Sequence, residues 1–130
     1  MELLPSPWSP VEVRQLVDAS REDVFAVVAD TDTHANWFVG VPLARDEDED
    51  APAEEVVETH GHRQILLEER VGPLTNELEF DFIKRGERTE VVMRERPTGN
   101  AVALTPLLRP ALALRNRQSL QRLRRYVESR

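Results

Sequence analysis

Residues 105–130 read TPLLRPALALRNRQSLQRLRRYVESR. Set at about 100° per residue, Leu112, Leu120, Leu123 and Val127 fall on one side, which predicts an amphipathic helix from Leu108 onward. A helix of this kind needs a surface to lie on. Halfway along its apolar stripe stand Asn116 and Ser119, with Arg115 at the edge. Polar atoms on a buried face are either met by neighbours or aimed into a cavity. The stretch therefore predicts a sheet-plus-helix domain with a hydrophobic pocket under the helix. Thr105-Pro106 offers a cap and first position, while Pro110 places the helix start nearer Arg109 or kinks it there.

Charge singles out the same stretch. Residues 109–130 hold seven arginines, Arg109, Arg115, Arg117, Arg122, Arg124, Arg125 and Arg130, against Glu128 alone, a net of +6 that leaves −13 for the rest of a chain whose total is −7. A basic outer face complements an acidic body and the negative end of its own helix. The same face could also dock RNA or an acidic partner. The overall negative charge argues against DNA. No cysteine is present, which removes disulfides, metal thiolates and redox dithiols from consideration. No run approaches the ~18 apolar residues of a membrane span, and no secretory leader is legible. The expected location is cytoplasmic, and 130 residues are enough for one domain with a real core.

Immediately upstream, Asn76–Arg85 alternates, with Leu78, Phe80 and Phe82 on one face and Glu77, Glu79 and Asp81 on the other. Arg85-Gly86-Glu87-Arg88 reads as a turn, and Thr89–Arg96 returns with Val91 and Met93 inward, so a hairpin is predicted. Further back, Glu54–Thr59 and Arg63–Val71 form another strand pair around His60-Gly61-His62. A His-x-His with Glu58 on the same face is a zinc-like pattern, but its place at a glycine turn favours a surface hairpin tip, and no metal is expected. Val41–Arg45 is a short strand running into Asp46-Glu47-Asp48-Glu49-Asp50. That run lacks the spacing and glycine of a calcium loop and reads as a solvated one.

At the start, Met1–Pro10 carries Pro5, Pro7 and Pro10 around Trp8 and reads as an arm packed on the surface. Val11–Asp18 alternates as a first strand, with Val11, Val13, Gln15 and Val17 on one face. Ser20 then caps a helix whose first turn carries Glu22 and Asp23 and whose apolar face is Val24, Phe25 and Val28. Asp30-Thr31-Asp32-Thr33 breaks it before a second short helix, His34 to Phe38.

Val17-Asp18-Ala19-Ser20-Arg21-Glu22-Asp23-Val24-Phe25, then Asp30, then Trp37, resembles the opening of the SRPBCC (START-like, helix-grip) superfamily, and within it the bacterial polyketide cyclase/dehydrase-like group. Beyond Phe38 the likeness rests on element order. The resemblance implies an α+β helix-grip fold: a curved antiparallel sheet of about six strands wrapped around a long C-terminal helix, with two short helices after the first strand. Residues 1–10 would be an arm and 11–130 a single START-like domain. It also implies a ligand cavity between sheet and helix, lined by Phe80, Phe82, Val91 and Met93 from strands, Trp37 and Phe38 near the entrance, and Leu112, Arg115, Asn116 and Ser119 from the helix.

The expected function is then binding of a hydrophobic small molecule, a lipid, isoprenoid or polyketide-like compound, without catalysis and without a cofactor. The alternatives are a cyclase or dehydratase, and an interaction module using the arginine-rich helix. An enzyme would draw on Arg115 as an oxyanion partner, Asn116 as an orienting group, and Glu69 or Arg63 if a strand turns them inward. None forms a recognisable nucleophile–base pair, and no phosphate loop is present. Whether the chain is catalytic stays open at this level, because the motifs mark a fold.

Overall fold

A computed structural model describes residues 10–39, 54–71, 74–98 and 105–130. The order is β1 (Val11–Val17), α1 (Arg21–Ala29), a 3-10 turn (Thr31–Thr33), α2 (His34–Trp37), β2 (Glu54–His60), β3 (Gln64–Val71), β4 (Leu74–Arg85), β5 (Arg88–Thr98) and α3 (Thr105–Glu128). The five strands form one antiparallel sheet in the order β1-β5-β4-β3-β2, so the first strand pairs with the last. The α+β architecture with a long C-terminal helix and short helices after β1 is as expected. The strand expected at Val41–Arg45, the acidic run behind it and the arm as far as Ser9 lie outside the described residues.

Local chemistry sets the element ends. Ser20 Oγ accepts from the Asp23 amide at 3.2 Å and caps α1. Asp30 Oδ1 does the same for the 3-10 turn, accepting from the Asp32 amide at 3.1 Å. Thr33 Oγ1 donates to the Val27 carbonyl at 2.7 Å and accepts from Trp37 Nε1 at 3.2 Å, which fixes the indole in the core. Between β4 and β5 the two-residue turn Gly86-Glu87 has a positive φ of 65° at the glycine alone, the arrangement a type II′ hairpin requires.

α3 begins at Thr105, four residues ahead of Arg109, and runs through Pro110. Leu120, Leu123 and Val127 pack into one apolar cluster with Val13 and Val17, Val24, Val27 and Val28, and the inner faces of β3, β4 and β5. Each such side chain stabilises by about 1.5–3 kcal/mol as an upper bound. At its far end α3 is tied to β1, where Glu128 Oε2 accepts the Asp18 amide at 2.8 Å. Arg115, Asn116 and Ser119 are buried on the same helix face.

Candidate functional site

Three neighbouring strands change character at the same level. On the inner face β3 presents Ile65, Leu67 and then Glu69; β4, read backwards, presents Phe82, Phe80, Leu78 and then Asn76; β5 presents Val91, Met93 and then Glu95. Register brings these ends together: Glu69 pairs with Asn76 across β3 and β4, and Glu95 stands opposite Leu78 across β4 and β5. Two carboxylates and an amide thus face α3 where its apolar stripe is interrupted.

Arg115 of α3 reaches into that gap and is 4% exposed, with Glu69 at 3% and Glu95 at 0%. Its Nη1 donates to both Glu69 oxygens at 2.8 and 3.1 Å, and its Nη2 donates to Glu95 Oε1. Its Nε donates to Asn116 Oδ1 at 3.1 Å, while Asn116 Nδ2 donates to Glu95 Oε1 at 2.9 Å. Asn76 Nδ2 donates to Glu95 Oε2 at 2.7 Å and meets Glu69 Oε1 at 3.5 Å. Burial alone would lower the Arg115 pKa, but the two adjacent carboxylates outweigh it and hold the guanidinium above the usual arginine value. It keeps its charge throughout the neutral range.

Above the cluster lies an aromatic wall. The Arg115 guanidinium stands 5.3 Å from the centre of the Phe38 ring, within cation–π range. Phe38 contacts Trp37 at 5.6 Å, and Trp37 meets Phe80 edge-on at 6.0 Å. Phe80, Phe82, Val91 and Met93 are at most 2% exposed and belong to the apolar core with Trp37 and Phe38. Leu112 is buried one turn before Asn116. Ser119 Oγ accepts the Val39 amide at 2.9 Å, which fixes the chain leaving α2.

The residues expected from the sequence therefore fall into an apolar group and, with Arg115 and Asn116, a polar one beside it. Glu69 faces inward, whereas Arg63 is exposed in the β2–β3 turn. The sequence reading missed Glu95 and Asn76. Both were within reach of it, because each continues a period-two face already assigned as inward. His60 and His62 are exposed, and among the described residues no three His, Asp or Glu side chains gather as a metal-binding group.

No family model and no curated protein matches the chain. Solved structures do. Protein CV1439 from Chromobacterium violaceum is 12% identical over 92% of this chain and 98% of its own, with a TM-score of 0.67. CalU16 from Micromonospora echinospora is 14% identical over 89% of this chain and 72% of its own, with a TM-score of 0.64. DynU16, from the dynemicin biosynthetic locus, is 19% identical with a TM-score of 0.62, covering 95% of this chain but 48% of its own, so the chain spans about half its length. At such identities the likeness is one of fold. The chain shares with these proteins a sheet packed by a C-terminal helix.

Proposed function

We propose that the protein binds a small, largely apolar molecule, a lipid, isoprenoid or polyketide-like compound, between the sheet and α3, with the Arg115 cluster meeting its polar end. The observation that carries this reading is the placement of five buried polar side chains directly against an aromatic and aliphatic wall. Buried ion pairs stabilise little compared with well-packed apolar residues, and an apolar interior with a few convergent polar groups is what small-molecule sites are built from. His34 supports the reading. Its Nε2–H donates to the Val28 carbonyl at 2.8 Å and its ring stacks on Phe38, while Nδ1, buried, has no hydrogen-bond partner among the described residues. That nitrogen is an acceptor a ligand hydroxyl can meet. Phe38 and Leu112, at 7% and 6% exposure, are the most accessible of the apolar lining side chains, and a ligand would enter past them. A fold neighbour from a biosynthetic locus is consistent with such a ligand.

Native mass spectrometry after incubation with a mixed lipid, isoprenoid and aromatic polyketide extract tests this. One discrete added mass is expected, absent in a folded Phe82→Asp variant. No adduct in the wild type, or the same adduct in the variant, overturns the reading.

The inward turn of Glu69 onto Arg115 favours a second reading, a cyclase or dehydratase in which a carboxylate moves a proton while the guanidinium steadies developing negative charge. If Glu69→Gln and Arg115→Ala leave turnover of aromatic polyketide substrates unchanged, that reading is abandoned.

A further inference from the structure

The C-terminal turns of α3 carry arginines that neither the fold nor the helix–sheet interior uses. Arg122 and Arg125, three residues apart and both exposed, line a shallow, open cleft of about 430 Å³ with Asn36, Tyr126 and Ser129. Among the described residues, no carboxylate lines the cleft. The acid of this turn, Glu128, is engaged elsewhere, by Arg124 at 3.4 Å and by the Asp18 amide at 2.8 Å. Neither Arg122 nor Arg125 has an ion-pair partner among the described residues, and the side chains of Asn36 and Tyr126 make no hydrogen bond there. Arg130 adds a third guanidinium, 5.6 Å from the centre of the Tyr126 ring.

Cationic and polar donors grouped on one exposed patch favour an anion, which takes the place of the water they otherwise hold. Two planar guanidinium forks, a carboxamide and a phenol offer more donors than the two oxygens of a carboxylate can take, whereas a phosphoryl group presents three acceptor oxygens and up to two charges. That this surplus of positive charge sits on a chain of net charge −7 makes it a local feature, distinct from a generally basic surface. We propose that the cleft formed by Arg122, Arg125, Asn36 and Tyr126 binds the phosphoryl group of a phosphorylated small molecule. The site is separate from the helix–sheet interior and stands or falls independently of it.

Calorimetric titration with inorganic pyrophosphate at matched ionic strength is the test. One saturable site is expected, weakened by about tenfold or more in Arg125→Gln, the share of one charged hydrogen-bonding group. Arg117→Gln, on the exposed face of the same helix but outside the cleft, should leave the affinity unchanged. The proposal is overturned if the wild type shows no saturable binding, if Arg117→Gln loses as much as Arg125→Gln, or if a tricarboxylate, which matches the charge of pyrophosphate near neutral pH, binds as tightly. An RNA oligomer weakened equally by both substitutions would likewise replace the cleft with a diffuse nucleic-acid surface. Both arginines are exposed, so the variants are expected to fold, and unchanged thermal unfolding checks that they do.

Discussion

Arg115 is the residue on which the polar interior depends. It connects Glu69, Glu95 and Asn116 through four hydrogen bonds, so its removal leaves two carboxylates facing each other with little water to screen them. Arg115→Ala should destabilise the fold by about 3–5 kcal/mol, the usual consequence of stranding a buried charge. Arg115→Lys should recover only part of the loss, since a single ammonium cannot reproduce the fork that spans two carboxylates. Urea unfolding midpoints for the two variants measure this, and a loss below about 1 kcal/mol in the alanine variant would mean that water reaches the carboxylates. The cluster also shows where sequence reading stops. Glu95 could be assigned inward by counting in twos from Val91 and Met93, but nothing in the sequence says that Glu95 and Glu69, 26 positions apart, converge on one guanidinium. That follows from the register of three strands, which is set by the hairpin turns and the packing of the whole face.

At the scale of elements, the outer face of the sheet mirrors the inner one in wetter surroundings. Arg94 of β5 reaches Glu12 on β1 at 2.9 Å and Glu79 and Asp81 on β4, and Gln64 of β3 closes the row onto the same two acids at 2.7 and 3.0 Å. The hydrogen bond to Asp81 outweighs partial burial and raises the Arg94 pKa. Because these groups are a quarter to two-fifths exposed, Arg94→Ala should cost only about 1 kcal/mol, and the loss should shrink at high salt. A loss independent of salt in denaturant titrations would contradict that. α3 offers a prediction of opposite sign. Pro110 sits inside the helix on its exposed side, where it removes one backbone hydrogen bond. Pro110→Ala should therefore stabilise by about 1–2 kcal/mol, the helix gain less the entropy proline withholds from the unfolded chain. The strand alternations, the Ser20 cap and the apolar stripe of α3 were all legible, because each is written in consecutive residues. The start of α3 was left open between Thr105-Pro106 and Arg109; the helix takes the earlier start and continues through Pro110, because proline is a helix breaker only on average and the packing that follows carries the helix through.

For the molecule as a whole, α3 is anchored unequally along its length. Its C-terminal half inserts Leu120, Leu123 and Val127 into the main core and is tied to β1 through Glu128. Its N-terminal half rests on Leu112 and the polar cluster, with Leu107 and Leu114 exposed at 79% and 57%. Local opening follows the side with fewer buried apolar contacts, so the helix should lift from its N-terminal end, where the Arg115 guanidinium lies against the Phe38 ring. Hydrogen–deuterium exchange should find the slowest helix amides at residues 120–127 and faster exchange at 112–116. A ligand taken up between sheet and helix should protect the second group far more than the first. Uniform exchange along α3, or protection confined to its C-terminal turns, would show that the helix does not open at this end and would remove the route by which the proposed ligand would enter.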